Sequence, residues 1–152
     1  MGYNLYIGEF DVVIEAEDRC AWVTARVITL NAAPVNSSGF RSGKCWPSYT
    51  AWGESMRRAG LRDVFYPNRE GSWWVDGDGV EHDCLLAHHP GARALTPAHL
   101  RRFEAALAAH RPGGWGTDKS TGIDYQRRRL EWLVWWTRWA LENCEYPTFA
   151  NS

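Results

Sequence analysis

The sequence predicts a single α+β domain: an N-terminal antiparallel sheet with three helices, over about residues 48–59, 97–110 and 122–143, packed on it. Three observations lead there. Residues 3–30 hold β-branched and aromatic side chains in short runs, the later chain shows helical apolar periodicity between capping signals, and 152 residues with 45% hydrophobic content suit one core. No internal repeat, low-complexity tract or interdomain linker divides the chain.

The stretch "GYNLYIGEFDVVIEAEDRCAWVTARVITL" reads as two or three strands, at residues 3–7, 11–15 and 21–30, with "EAEDR" as the break. A polar segment follows, "NAAPVNSSGFRSGKCWP", whose length marks a functional or mobile loop. "SYTAWGESMRRAG" reads as a helix with Ser48 as N-cap and Gly60 just past its end. "SWWVDGDGVEHDCLL" reads as a hairpin, because Asp-Gly pairs supply the backbone angles of tight turns.

In "LTPAHLRRFEAALAAH", Thr96 caps a helix, Pro97 suits its first position and Leu95 staples onto Leu100. Leu100, Phe103, Leu107 and His110 form its apolar stripe, and Pro112 with the glycines beyond stops it.

The last helix, from about Gly122 to Asn143, is capped by Thr121 with Asp124 at the third position. At about 100° per residue, Ile123, Leu130, Leu133, Val134, Leu141 and Cys144 share one face. Trp132, Trp135, Trp136 and Trp139 cover the opposite side with Tyr125 and Arg128. A narrow polar strip holds Arg127–Glu131 and Arg138–Glu142, ion pairs worth a few tenths of a kcal/mol each. A helix so apolar is either central to the fold or half-buried with an aromatic face left for a partner.

Composition narrows the function classes. The net charge of −1 gives no global pull toward long nucleic acid or an anionic membrane. Ten tryptophans mean an aromatic core, an aromatic binding surface, or both. Cys20, Cys45, Cys84 and Cys144 are far apart with no C-x-x-C, which reads as reduced thiols. "MGYNLYIGEF" lacks the basic and apolar regions of a signal peptide, and Tyr6 stands where N-myristoylation prefers Ser or Thr. "LEWLVWWTRWAL" is too short and charged to span a bilayer, so a cytosolic protein is expected.

Four constellations bear on chemistry. "GGWGTDKSTGIDYQRRR" sets glycines, Lys119 and hydroxyls before a helix N-terminus, which favours anions. A Walker loop needs glycine directly before the lysine, whereas Asp118 stands there and a helix rather than a strand precedes it. A weaker anion site using Lys119, Arg128 or Arg129 stays open beside a plain flexible cap. "EHDCLLAHHPG" gathers His82, His88 and His89 near Cys84, with His82 and Cys84 on one strand face, but matches no metal-ligand spacing. "GFRSGKCW" sets Arg41 and Lys44 beside Trp46, a combination that binds phosphate and stacks bases. No G-x-S-x-G occurs, and pairing Cys45 or Cys84 with a histidine rests on no motif.

The terminal stretches "MGYNLYIG" and "WALENCEYPTFANS" resemble the ends of small uncharacterised proteins of high-GC bacteria and their phages. That resemblance implies a phage-encoded or accessory protein, a class in which inhibitors and ligand-binding decoys are common, and implies no catalytic residue. The first expectation is a non-enzymatic binding protein without cofactor that recognises a protein partner, as an inhibitor, anti-defence or immunity-type protein, through tryptophan and arginine anchors. The alternative is a binder of a small nucleotide-like phosphate ligand, with Arg41, Lys44, Trp46, Trp115, Lys119, Arg128, Trp132, Trp135 and Trp139 as contacts. A third reading is a metal-assisted hydrolase using His82, His88 and His89.

Overall fold

A computed structural model describes residues 5–11, 26–27, 49–88 and 91–151. The elements in chain order are β1 (Leu5–Asp11), β2 (Arg26–Val27), α1 (Tyr49–Arg58), α2 (Arg62–Phe65), β3 (Trp73–Val75), β4 (Glu81–Asp83), β5 (Gly91–Ala94), α3 (Pro97–Ala109), α4 (Tyr125–Asn143) and β6 (Pro147–Asn151). The mixed α+β class is as expected. No helix among the described residues is long and apolar enough to cross a membrane.

The main sheet runs β2-β1-β6-β5, with antiparallel pairing throughout. Instead of a sheet built from the N-terminal run alone, β1 pairs with β6, register Leu5↔Asn151 to Glu9↔Pro147. The strand expected at 3–7 begins β1, which runs on through Gly8 to Asp11. Only Asp11 of the strand expected at 11–15, and only β2 of that expected at 21–30, lie within the described residues.

The sequence reading missed β5 and β6. "GARA" holds no β-branched residue and "PTFAN" opens on proline, so pairing rather than propensity makes them strands. The Asn151 amide fastens the end of β6, donating to the His88 carbonyl at 3.0 Å. The long polar segment, Ser48, Arg41, Lys44, Trp46 and His89 lie outside the described residues.

Helix α1 ends as its sequence indicates. Gly60 takes φ 73°, its N–H bonds the Arg57 carbonyl at 3.2 Å, and the Leu61 N–H reaches the Met56 carbonyl at 2.8 Å. That pair of bonds is a Schellman closure, which turns the chain directly into α2. Helix α3 starts at Pro97, where the Thr96 N–H donates to His99 Nδ1 at 3.0 Å. His99 therefore fills the reciprocal capping role usually held by Glu or Gln.

Helix α4 differs from expectation in two ways. It begins at Tyr125, not Gly122, and its cap is Asp124 rather than Thr121. The Asp124 carboxylate accepts the Arg127 N–H at 2.9 Å, while a Thr117↔Asp124 bridge and an Asp118 N–H bond to the Ile123 carbonyl hold residues 122–124 out of the helix. The Arg138–Glu142 pair is also replaced. Arg138 instead reaches Glu104 on the neighbouring α3 at 3.0 Å, whereas Arg127–Glu131 forms as expected at 2.6 Å.

Helix α4 packs between α3 and the β1–β6 pair, so both apolar faces are used. Leu130 and Leu133 are buried on one side and Trp132 and Trp136 on the other. Rings then link α1, α2, α3, α4 and β6. Trp52 meets Phe65 at 5.6 Å and Trp132 at 6.1 Å edge-on, and Phe65 meets Phe103 at 5.8 Å and Phe149 at 5.4 Å. Such contacts add about 0.5–1.5 kcal/mol each beyond the area they bury.

Candidate functional site

Two surface regions stand out: the β3–β4 hairpin and a cleft beneath Trp115. The hairpin pairs Trp73↔Asp83, Trp74↔His82 and Val75↔Glu81. Its turn is organised by Asp76, whose carboxylate accepts the N–H groups of Asp78 at 2.8 Å and Val80 at 3.1 Å. This is the side-chain turn chemistry that "DGDG" encodes.

Alternation along β3 sends Trp74 inward and leaves Trp73 and Val75 exposed. Inside, Trp74 stacks on His82 at 4.7 Å, and His99 stands edge-on to both rings at 5.3 and 5.2 Å. The His82 Nε2 lies 2.7 Å from an Asp76 carboxylate oxygen. That bond, helped by the Val80 N–H, holds the Asp76 carboxyl down to about 2.

His99 is almost fully buried, and burial together with His82 and Arg102 pulls its pKa down to about 3. Its Nδ1 accepts the Thr96 N–H, so in the neutral ring the proton sits on Nε2. That nitrogen is then a donor, with no hydrogen-bond acceptor among the described residues, and the ring stands edge-on to Trp74. His82 and His99 thus pack with Trp74 as one cluster of rings beneath the hairpin.

The other histidines scatter. His88 is exposed and His89 lies outside the described residues. Cys84 turns to the Asp63 carbonyl at 3.3 Å, and burial pushes its thiol pKa up. Among the described residues no group of three or more His, Cys, Asp or Glu is placed to hold a metal ion.

The cleft, of about 260 Å³, opens where the C-terminal ends of α1 and α3 meet the start of α4. Arg58, His110, Arg111 and Trp115 form its polar and aromatic wall, over a floor of Ala59, Ala106, Ala109 and Leu130. The Arg58 guanidinium lies 4.9 Å from the Trp115 ring centre, and that of Arg129 lies 5.8 Å away. Gln126 braces the base by donating from Nε2 to the Ser55 carbonyl at 2.9 Å while its Oε1 accepts the Ser55 hydroxyl.

The loop carrying Trp115 is tied at both ends. The Tyr125 N–H bonds the Gly116 carbonyl at 3.0 Å, and His110 Nε2 lies 2.7 Å from the Asp124 carboxylate. Burial would raise the Asp124 pKa, but the Arg127 N–H and His110 outweigh it and hold the carboxyl low. Asp118 spends its carboxylate on the Ser120 hydroxyl and N–H, at 2.7 and 2.8 Å, and so caps its own turn.

Of the residues expected to bind a ligand, the structure brings Trp115 to the cleft, whereas Lys119 and Arg128 do not line it. Trp132 is wholly buried against Trp52 and Phe149 and presents no surface. Trp135 and Trp139 are half-buried, each edge-on to Trp136 at 5.3 Å. Sequence reasoning missed Trp73, Arg58 and Arg111. Trp73 was readable from strand alternation in "SWWV", but the two arginines meet only through tertiary packing.

No protein-family model, curated protein or solved structure matches this chain.

Proposed function

We propose that this chain is a binding protein that recognises a protein partner, and that the outer face of the β3–β4 hairpin is the contact surface. The carrying observation is the clustering of exposed apolar groups. Trp73, Val75 and Val80 are three of the five exposed large apolar side chains among the described residues. Tryptophan anchors of this kind carry much of the energy at protein interfaces.

The rim of that surface selects the partner's charge. Glu70, Asp78, Glu81 and Asp83 are exposed along it, Asp78 with Arg101 at 3.7 Å and Asp83 with Arg93 at 3.8 Å, while the Asp76 carboxylate turns in to His82. Glu81 and Asp83 stand directly across the strands from Val75 and Trp73. A partner presenting an apolar patch edged with lysine or arginine would match both features. Inhibitors and immunity-type accessory proteins work by such contacts, in line with the terminal resemblance to phage and bacterial accessory proteins. Free Cys84 and Cys144 support a cytosolic setting.

A photo-crosslinker placed at Val75, with one at exposed Glu142 as control, would identify the partner for purification. Calorimetry should then show Trp73→Ala weakening its binding by more than about tenfold, as loss of a hot-spot anchor does. Unchanged affinity in a folded Trp73→Ala variant would remove the hairpin from the interface.

A further inference from the structure

The cleft beneath Trp115 has a charge opposite to that of the hairpin and a different shape. Its ionisable lining residues are Arg58, His110 and Arg111, and no carboxylate lines it. The nearby acids, Glu54 and Asp124, pair with two of these groups, Arg58 and His110, which leaves the Arg111 guanidinium to meet an anion. Glu54 accepts hydrogen bonds from Arg57 and Arg58, which hold its carboxyl down to about 2, and Asp124 takes His110 and the Arg127 N–H. Arg111 is exposed and has no ion-pair partner among the described residues.

The wall and floor divide the chemistry. Arg58 is already held by Glu54 at 2.8 Å and by the face of Trp115, so its position is set before any ligand arrives. The floor of Ala59, Ala106, Ala109 and Leu130 offers no hydrogen-bonding side chain. Gln126 is committed to Ser55 and acts as a brace. The volume lies just below the range of about 300–1,000 Å³ usual for ligand pockets, so the occupant is small.

We propose that this cleft binds a compact ligand with a flat apolar body and one oxyanion head, a phosphate monoester or a carboxylate, the head held by Arg111 and Arg58 and the body set on the alanine floor against Trp115. Guanidinium groups suit both heads because their paired N–H groups match two oxygens at once. The site is separate from the hairpin surface and does not depend on the protein-partner reading.

The test uses phenyl phosphate and phenylacetate as the two head groups, with phenol and inorganic phosphate as halves of the ligand. The indole N–H signal of Trp115, identified by its loss in Trp115→Phe, is followed by NMR during each titration. At least one of the two aromatic oxyanions should shift that signal saturably, and whichever binds more tightly names the head. Arg111→Ala should weaken that binding about tenfold or more, since hydrogen bonds to charged groups are worth that much. Trp73→Ala should leave it unchanged. A Trp115 signal static to millimolar ligand, equal binding in Arg111→Ala, or inorganic phosphate binding as tightly as phenyl phosphate would each overturn the proposal.

Discussion

His99 accepts the Thr96 backbone N–H through Nδ1 at 3.0 Å, while its buried ring stands edge-on to Trp74. The start of α3 thus depends on a neutral histidine. Burial, with His82 and Arg102 adding to it, lowers its pKa from 6.5 to about 3. Between those values the unfolded chain binds a proton that the fold refuses. Stability is therefore intact above about pH 6.5 and falls as pH drops toward 3, by at most about 1.4 kcal/mol per pH unit. Urea titrations across pH 7 to 4 should show this slope, and His99→Gln, which restores an ordinary capping box, should flatten it. Equal slopes in the two proteins would rule out His99 as the source. Asp76 acts later: its contribution is present above pH 3.8 and is lost only as pH falls toward 2.

Two glycines with nearly the same backbone angle should respond differently to alanine. Gly60 has φ 73° with open space where a Cβ would go, so Gly60→Ala should cost about 1 kcal/mol from the backbone alone. Gly116 has φ 86°, and a Cβ there would meet the Gln126 Cβ at 3.0 Å and the Gln126 N at 3.2 Å. Gly116→Ala should be the more damaging, exceeding that value and displacing Trp115. Denaturant midpoints measure the first effect, and the Trp115 indole signal the second.

The tryptophans of α4 are not equivalent. Trp132→Ala empties a fully buried site between Trp52 and Phe149 and should cost about 3–5 kcal/mol, enough to unfold a marginal domain. Trp139→Ala removes a half-buried ring that packs on Trp136 and should cost less. Trp73→Ala removes an exposed ring and should stay within about 0.5 kcal/mol of the parent. Thermal melts of the three variants would order them, and any other order would contradict this division into core and surface.

Asp124 serves two partners, and two substitutions separate them. Asp124→Asn keeps a good N-cap acceptor for Arg127 but removes the charge facing His110. Asp124→Ala removes both, and should lose a further 0.5–2 kcal/mol, roughly the worth of a cap. If urea midpoints of Asn and Ala variants coincide, the cap contributes nothing and α4 is held by packing alone.

The sequence made local structure legible where a side chain answers its own backbone. Thr96 and Pro97 open α3, Gly60 closes α1, and the Asp-Gly pairs shape the hairpin, all through bonds within a few residues. It misled where two local signals competed, as with Thr121 and Asp124, because the Thr117↔Asp124 bridge holds residues 122–124 out of the helix and His110, just past the end of α3, meets the Asp124 carboxylate. Strand β6 was hidden because its state comes from β1 and β5 on either side. The cleft was hidden for the same reason. Arg58 ends α1, whereas Arg111 and Trp115 stand on the loop after α3, and helical periodicity carries no information on how those segments meet. Only Trp115 stood out in advance, since a tryptophan among glycines has no element of its own to bury it.

The pairing of β1 with β6 governs how the molecule can be made. During synthesis β1 leaves the ribosome early and finds no β6 until almost all the remaining chain has followed. Glu9 then receives the N–H groups of Glu145 and Tyr146, and Ile7 settles beside Phe149. Helices α3 and α4 can assemble locally and quickly, whereas the sheet must wait for its most distant partners. Interrupted translation would thus release chains with formed helices and an open strand edge, the species most open to proteolysis and to pairing with the wrong neighbour.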